Sequence, residues 1–574
     1  MGLFLPYNFF IMLKNYFIDI VAKAIEKGIN DNKLGELKEF DNVLVCEKPK
    51  NEQFGDFSIN VSSLARYAKM APPVIANTIA EYISSEKFDV SVVAGFINFT
   101  VKDEIINNVI KEILDKQKEY GKGLNKNPKK INLEYVSANP TGPFHIGHGR
   151  WAAVGSSLAN VLKFYGDDVF QEFYINDAGN QINKLGKSLE VRVRQLKGED
   201  IELPEDSYPG EYLIDCAKKY IEEKSTQDYA IYAENDMLNQ QKELLEKFGV
   251  KFDLFFHETD LYKNNEVQKC VDELDKMGKL YKKEDAVWFK SSDYGDEQDR
   301  VIKKADGTNT YLTADIAYHQ NKLKRGFDTL INIWGADHHG YIKRIEASIE
   351  ALGRDPKSLE VLLGQLVNIV QNGETMRMGK RKKMVTLGDL VDEVGADATR
   401  YWMLMRSIDT ALDFDVDLAK SKTDQNPVFY VQYAHARCSS IIRKATEESV
   451  DTLDNNKIIP STVTMDEFNN FVLKPQFSSI YAQTDDSKKS VKALVLKLEE
   501  FKSVVENSAK NRAPYLLCKY AQEVAGAFHH FYNYTRVITN DKTETLSRMC
   551  LVFATKTIMQ ITLDLIGVSA PEKM

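Results

Sequence analysis

The segment that most constrains the fold is an apolar run followed by a loop and then by a long helical pattern. Ile131–Val136 has the composition of a buried strand, Asn139–Pro143 is rich in loop formers, and apolar residues repeat at helical spacing over Gly147–Tyr165. A strand, a loop and a helix in this order open many nucleotide-binding α/β sheets. The segment therefore predicts a Rossmann-type α/β sheet.

The junction between this loop and this helix is suited to binding phosphate. His145, Ile146, Gly147 and His148 follow one another there. A glycine lets the backbone approach a nucleotide closely, and a helix N-terminus offers unpaired N–H groups and the positive end of the helix dipole. Imidazole N–H groups also donate hydrogen bonds to phosphate oxygens. An ATP site explains this tetrapeptide better than chance does, because it lies between a strand and a helix.

The residues before this segment are predicted to form an α/β module and a linker. Apolar residues repeat at helical spacing over Ile18–Ile25, a second helical run is predicted over Asn60–Tyr82, and Val90–Phe99 has the composition of a strand. The polar stretch Lys116–Lys130 is predicted to be a linker.

The residues after it are predicted to complete the sheet and then to become helical. Val169–Ile175 and Thr329–Trp334 are further strand candidates, and the charged, helix-like region Lys187–Lys283 is predicted to be an insertion between two halves of one sheet. Helical patterns dominate after Leu418; they cover Val431–Ala445, Val491–Asn507 and Leu516–Tyr534.

Composition excludes few functions. With 43% hydrophobic and 28% charged residues the chain is typical of soluble globular proteins. The net charge of -9 does not favour a nucleic-acid partner, but phosphate binding depends on local basic surfaces and not on the sum. The six cysteines form no CxxC pair, which favours buried, reduced thiols over a zinc site.

The first eleven residues are predicted to be either a short extension or an artefact of the choice of start site. They are apolar, but the run is shorter than the about 20 residues that span a bilayer, and no basic segment precedes it as in a secretory signal. The helical pattern starts directly after Met12. These features favour a cytoplasmic protein without a membrane partner.

Several segments resemble, in order, those of the arginyl-tRNA synthetases, a family of class I aminoacyl-tRNA synthetases. The resemblance covers about Met12 to Met574 and is more specific than any single motif. It is carried by Gly55–Val61 (GDFSINV), Ser137–Arg150 (SANPTGPFHIGHGR), Tyr174–Ile182 (YINDAGNQI), Tyr311–His319 (YLTADIAYH), Gly335–Tyr341 (GADHHGY), Val394–Tyr401 (VGADATRY), Asn426–Arg437 (NPVFYVQYAHAR), Ala527–Asn533 (AFHHFYN) and Ser569–Met574 (SAPEKM).

The resemblance implies a multidomain α/β plus all-α protein. Residues 12–120 would form an N-terminal α/β domain that contacts the outer corner of a tRNA. Residues 125–415 would form the Rossmann-type class I catalytic domain, with the insertion at about 187–283, and residues 416–574 a helical anticodon-binding domain.

The resemblance also implies the reaction and its partners. Arginine would attack the α-phosphate of ATP, bound with Mg²⁺ as a substrate complex, to give arginyl-adenylate and diphosphate. A terminal ribose hydroxyl of tRNA(Arg) would then take the arginyl group. Enzymes of this family typically need bound tRNA for the first step. No tightly bound cofactor and no metal site are expected, and the protein is expected to be a monomer.

By resemblance, the nucleotide site has two parts. The second class I motif corresponds to Arg377–Arg381, where the family's first lysine is Arg377 and its serine is Gly379. A solvated charge run is the alternative for this basic loop. Catalytic roles are expected for His145, His148 and Lys380, and ATP contacts for Ala138, Asn139, Pro140, Thr141, Gly142, Pro143, Phe144, His145, Ile146, Gly147, His148, Asp337, Met378 and Lys380.

An arginine site needs carboxylates and acceptor oxygens, because the guanidinium is planar, always charged and only a donor. Tyr311 and Asp315 are four residues apart and would share one face of a helix. The alternative for Asp315 is an ordinary acid near a helix N-terminus. The resemblance places arginine contacts on Glu134, Asn139, His145, Tyr311, Asp315 and His338.

Two other predictions carry alternatives. A metal site at His338 and His339 is disfavoured, because neighbouring residues of a strand point in opposite directions. Aromatic and arginine side chains can stack on unpaired anticodon bases, but aromatics of a helix also form its core. With that alternative open, the predicted tRNA contacts are Phe531, Tyr532 and Arg536.

Two other functions were weighed. A different class I synthetase, such as the cysteinyl enzyme, is disfavoured by the lack of zinc-spaced cysteines and by Glu134 with Tyr311 and Asp315. An inactive tRNA-binding paralogue is supported only by the altered Arg377–Arg381 loop.

Overall fold

The structure is a computed structural model that describes residues 12–574, except positions 36, 38–39, 377–385, 448, 452–456, 460, 476, 478–479 and 482–483. The predicted extension 1–11 lies outside the described residues, as do Arg377, Met378, Gly379, Lys380 and Arg381.

The N-terminal part is a four-stranded antiparallel sheet covered by helices. The strand order is β1-β2-β4-β3. Phe17 of α1 stacks on Phe99 of β4 in the core, with ring centroids 4.4 Å apart. The helices α1–α4 are Leu13–Asn30, Ala65–Ala68, Pro72–Ala80 and Asp103–Lys116, and the strands β1–β4 are Cys46–Glu47, Phe57–Asn60, Phe88–Val93 and Phe96–Val101.

The helical run predicted over Asn60–Tyr82 was wrong in part. Asn60 is the last residue of β2, and two separate helices follow. Lys69 has a left-handed backbone (φ 53°) that ends α2, and Pro72 starts α3 because its fixed φ suits the first helical position. The predicted strand Val90–Phe99 is confirmed as the facing parts of β3 and β4.

The central part contains a five-stranded parallel sheet of order β12-β11-β5-β6-β7, which confirms the Rossmann-type prediction. Both faces are covered, so the central strands are almost entirely buried, with polar residues such as Asn132 and Asn332 included. The strands β5–β15 are Lys130–Glu134, Asp168–Ile175, Leu254–His257, Leu280–Lys283, Ala286–Phe289, Arg300–Lys303, Thr329–Gly335, Leu359–Gly364, Val367–Gln371, Glu374–Met376 and Leu412–Asp415.

The prediction that Lys187–Lys283 is an insertion was wrong in one respect, because this region contributes the edge strand β7 to the sheet. Most of the rest is helical, as predicted, with a small core of its own under α6, α7 and α8, but its last four residues form the strand β8 (Leu280–Lys283). The helices α5–α15 are Ile146–Tyr165, Asn180–Leu196, Tyr212–Glu222, Tyr229–Lys247, Glu258–Lys263, Glu266–Lys276, Tyr311–Lys324, Ile342–Ala351, Leu387–Val394, Ala396–Leu404 and Val416–Lys420.

The C-terminal part is a helical bundle with one short hairpin, β16 and β17 (Ser449–Asp451 and Lys457–Ile459). One helix, α21, is long and apolar enough to cross a membrane by length and composition, but 78% of its apolar window is buried within the bundle, as in a core helix. The helices α16–α21 are Pro427–Thr446, Met465–Leu473, Asp485–Glu499, Phe501–Lys510, Tyr515–Tyr534 and Lys542–Ile566. All six cysteines are buried and unpaired.

A buried arginine joins the bundle to the central sheet. The Arg400 guanidinium donates to the Ile566 carbonyl at the end of α21, to the Phe248 carbonyl and to Ser156 Oγ of α5. Ser157 Oγ of α5 also donates to Ile566 O at 3.1 Å. Helix α5 therefore rests directly on the last helix of the chain.

Candidate active site

A cavity of about 580 Å³ opens at the carboxyl ends of β5, β6 and β11, where open α/β sheets bind ligands. Its described lining includes four carboxylates and neither lysine nor arginine. Eight of the predicted site residues line it: Glu134, Ala138, Asn139, His148, Tyr311, Asp315, Asp337 and His338. Residues Pro140–Gly147 of the predicted ATP loop, which include His145, do not belong to this lining. Side chains that were not predicted also line the cavity: Trp151, Tyr174, Glu258, Tyr318, His319 and Tyr341.

The backbone leaving β5 has an unusual conformation. Val136 and Ser137 both have positive φ, at 70° and 42°, which costs energy for residues with a Cβ. The turn is held by Ser137 Oγ, which donates to Glu134 Oε1 at 2.9 Å and accepts from the Tyr174 N–H at 3.1 Å. This turn aims the following loop across the cavity.

The two histidines at the start of α5 stack on each other, with ring centroids 3.6 Å apart. The His145 backbone N–H donates to His148 Nδ1 at 3.2 Å, which leaves the proton on Nε2 in a neutral imidazole. Burial, and secondarily the neighbouring His145, lowers the pKa of His148 to about 3, and burial also lowers the pKa of His145. Both rings are therefore neutral hydrogen-bond donors at neutral pH.

The predicted ATP loop is held from behind by the helical region. Gln241 Nε2 donates to the carbonyls of Asn139 and Gly142, and the Tyr212 hydroxyl donates to the Thr141 carbonyl at 2.7 Å. Asn139 Nδ2 donates to Gln181 Oε1 at 2.7 Å. These contacts fix the course of the loop.

Two of the predicted ATP contacts need correction. The side chains of Phe144 and Ile146 are buried in the core. Only their backbone groups can therefore take part in nucleotide binding.

Trp151 is a cavity residue that the sequence analysis missed. Its ring meets those of His145 and His148 edge-on, at 5.9 and 5.3 Å between centroids. It fits against the end of β12 because Gly364 lacks a side chain: a Cβ there would lie 2.1 Å from Trp151 Nε1. A Cβ at Gly335, at the end of β11, would make only an ordinary contact with the ring, at 3.5 Å. In the sequence alone, Gly364 reveals this close approach of the Trp151 ring only if its strand is already known to pair with β11.

Tyr311 and Asp315 both lie in the first part of α11, as predicted. The Tyr341 hydroxyl donates to Asp315 Oδ2 at 2.6 Å. Burial raises the pKa of Asp315 to about 6, against the opposing effect of this hydrogen bond. Tyr311 is 74% exposed at the cavity mouth.

Glu258 is a second missed residue. It is the first residue of α9, directly after β7, and is only 4% exposed. Burial raises its pKa to about 7, with the Tyr174 hydroxyl hydrogen-bonded to it. It was missed because the four-residue strand before it was not recognised within a charged region.

Asp337 and His338 lie at the cavity rim, 3.6 Å apart between Oδ2 and Nε2, and both are mostly exposed. The premise used against a metal site at His338 and His339 was wrong, because these residues form a 3₁₀ helix, Ala336–Tyr341, and not a strand.

The described residues contain one group of three side chains that could hold a metal ion: Asp177, Glu234 and His257. Both oxygens of Asp177 already accept hydrogen bonds, from the backbone and hydroxyl of Thr259 and from His257 Nδ1. Internal hydrogen bonding accounts for this cluster.

The helical bundle carries a separate surface cavity of about 1100 Å³. The Arg437 guanidinium lies 4.3 Å from the centroid of Tyr532, and Arg536 lines the same cavity. The prediction for Phe531 was wrong, because this side chain is fully buried.

The chain matches three family descriptions in succession. Residues 15–101 match the arginyl-tRNA synthetase N-terminal domain, residues 109–408 the catalytic domain of class I tRNA synthetases (R), and residues 431–574 the DALR anticodon-binding domain.

Relatives match over nearly the whole length. The arginine–tRNA ligase of Bacillus subtilis is 41% identical, covering 97% of this chain and 99% of its own. That of Geobacillus kaustophilus is 43% identical, covering 94% and 96%. Among solved structures, the arginyl-tRNA synthetase of Thermus thermophilus superposes with a TM-score of 0.73 at 20% identity, covering 98% of this chain and 100% of its own, which shows the same fold.

Proposed function

Because the chain belongs to the arginyl-tRNA synthetase family and ligates arginine to tRNA(Arg) with ATP, we propose that the cavity at the carboxyl ends of β5, β6 and β11 is where arginine and ATP react. The observation that carries this proposal is the charge of its described lining, four carboxylates without a lysine or arginine. Such a cavity attracts a substrate with two positive groups, as arginine has in its guanidinium and its α-ammonium.

Asp315 and Glu258 are the proposed partners of the positive groups of arginine. Within the described residues neither forms an ion pair, and burial raises the pKa of both carboxyls. A guanidinium that pairs with them removes this unfavourable burial of charge. Tyr311 at the mouth, Glu134, Asn139 and His338 complete the proposed arginine contacts.

ATP is proposed to bind with its phosphates at the start of α5. The N-terminal N–H groups of α5 and the Nε2–H of His148 can donate to phosphate oxygens. Asp337 is proposed to contact the ribose. Mg²⁺ is proposed to accompany the triphosphate, and Lys380, outside the described residues, to stabilise the leaving diphosphate.

The chemistry needs no covalent intermediate on the enzyme. The arginine carboxylate attacks the α-phosphate, diphosphate leaves, and the terminal ribose hydroxyl of the tRNA then displaces AMP. The protein contributes positioning and stabilisation of charge.

The proposed tRNA surface lies on the C-terminal helical bundle. Tyr532 and Arg536 belong to a surface whose other cations are Arg437, Arg443, Lys444 and Lys573, suited to phosphates and stacked bases. The proposed domain boundaries remain 12–120, 125–415 and 416–574, and the enzyme is proposed to act as a cytoplasmic monomer.

Charging of tRNA with arginine, lysine and citrulline tests the site. Citrulline has nearly the shape of arginine but a neutral side chain. The charge-based site predicts efficient charging with arginine and not with citrulline, whereas the rejection of lysine depends on the planar guanidinium. Charging with citrulline at a comparable rate would contradict the site.

A further inference from the structure

A lysine without solvent exposure lies directly beneath the cavity floor. Lys322, in the last turn of α11, places its Nζ 2.5 Å from Glu134 Oε2 and 3.2 Å from Asn332 Oδ1. The same Nζ lies 4.4 Å from the centroid of Tyr318, which lines the cavity. Lys322 therefore places its ammonium group against the proposed arginine site.

Both oxygens of Glu134 accept hydrogen bonds: Oε2 accepts from Lys322 Nζ and Oε1 accepts from Ser137 Oγ. Glu134 thus connects Lys322 to the strained turn at Val136 and Ser137. A buried carboxylate that lost its cation would be left uncompensated, which costs far more than the pair contributes. The position of Glu134, and through it the turn that enters the ATP loop, depends on Lys322.

We propose that Lys322 is a positioning residue of the arginine site, which fixes Glu134 and limits the uncompensated buried carboxylates of the cavity to Glu258 and Asp315. Two such carboxylates match the two positive groups of arginine, the guanidinium and the α-ammonium. This proposal rests on the proposed function of the cavity. It concerns charge only, since the choice of arginine over lysine depends on the planar guanidinium.

Lys322 and Glu134 act on Asp315 in opposite directions: Glu134 raises the pKa of Asp315 and Lys322 lowers it. Removing either partner therefore shifts the pH at which Asp315 can receive a cation. The titratable and charged groups around Asp315 are Glu134, Tyr174, Glu258, Tyr262, Tyr311, Lys322, His338 and Tyr341.

The test is the pH dependence of kcat/KM for arginine in four proteins: wild type, Lys322→Met, Glu134→Gln and the double variant. We expect the acid midpoint to move up in Lys322→Met and down in Glu134→Gln, each by about one pH unit for a nearby charge. The double variant is expected to return close to wild type.

The matched control is another ion pair of this region, Arg325 with Glu172, 2.7 Å apart, in which Glu172 is fully buried and Arg325 is partly exposed. Glu172 does not line the cavity, so Glu172→Gln with Arg325→Met is expected to lower the melting temperature without moving the acid midpoint.

Equal midpoints in all four proteins would overturn the proposal and leave Lys322 a structural residue. If Lys322→Met does not fold, the Glu134→Gln and double variants still decide, because they must differ from each other in midpoint. The proposed function fails separately, if Asp315→Asn spares the KM for arginine.

Discussion

The hydroxyl of Tyr341 donates a 2.6 Å hydrogen bond to Oδ2 of Asp315. Tyr341 ends the 3₁₀ helix that carries Asp337 and His338, whereas Asp315 lies on α11. One hydrogen bond therefore joins the proposed arginine site to the segment proposed to hold the ribose.

Tyr341→Phe is expected to raise the KM for arginine about tenfold, because a hydrogen bond to a charged group contributes about 1.5–3 kcal/mol. Loss of the donor also raises the pKa of Asp315, so the effect is expected to grow as the pH falls. Steady-state charging at pH 8 and pH 6.5 measures both. Tyr281→Phe, which loses a similar bond to Asp299 outside the cavity, is the control.

Asp315→Asn is expected to raise the KM for arginine strongly and the KM for ATP little. Truncating one partner of a buried charged pair costs about 2–5 kcal/mol, and asparagine is expected to cost less because it still accepts one hydrogen bond. Charging with arginine, lysine and canavanine gives the constants. A changed ATP constant with an unchanged arginine constant would contradict the placement of the arginine site.

His148→Ala is expected to lose adenylate formation while tRNA affinity is kept, and so is Lys380→Ala. One positioned donor that stabilises developing charge is worth about 100- to 1,000-fold in turnover. Arginine-dependent ATP–diphosphate exchange with tRNA present measures the first step, and filter binding measures the affinity. Near-normal exchange in either variant would exclude that residue from catalysis.

Arginine binding is expected to weaken as the pH falls from 8 to 6, while ATP binding changes little. Burial raises the pKa of Asp315 to about 6 and of Glu258 to about 7, and a protonated carboxyl cannot pair with a guanidinium. Binding near neutral pH must therefore release protons. Calorimetry in two buffers of different ionisation enthalpy counts them, and a count of zero at pH 6.5 would contradict this pairing.

Removing residues 1–11 is expected to leave activity and melting temperature unchanged. Helix α1 begins at Leu13, whose N–H donates to Glu499 Oε1 at 2.6 Å. Removing residues 1–14 deletes this bond and is expected to lower the melting temperature. Equal melting temperatures for the two truncated proteins would show that α1 needs no such anchor.

Local signals predicted the parts of the fold that are encoded locally. The strand β5, its loop and α5 follow one another without interruption, so composition and periodicity were sufficient. β7 has four residues within a charged region, and it forms a strand because it pairs with β6. Glu258, which directly follows β7, was not recognised as a site residue for the same reason.

Contacts distant in sequence could not be predicted. Glu134 and Lys322 are 188 positions apart, and their pairing exists only because β5 and α11 pack together. Likewise, Phe531 and Tyr532 are adjacent and both aromatic. Only the packing of α20 in the bundle decides that the first is buried and the second faces the surface cavity.

The Arg400 junction has a consequence for how this enzyme can have been assembled from parts. The Arg400 guanidinium and the Ser157 hydroxyl both donate hydrogen bonds to the carbonyl of Ile566, the last residue of α21. The packing of α5, which starts with the two histidines, therefore depends on a helix near the C-terminus. A ribosome must therefore release nearly the whole polypeptide before the site can reach its final form. The catalytic domain therefore does not fold independently of the anticodon-binding domain, because the C-terminal bundle supplies hydrogen-bond acceptors for α5 and Arg400.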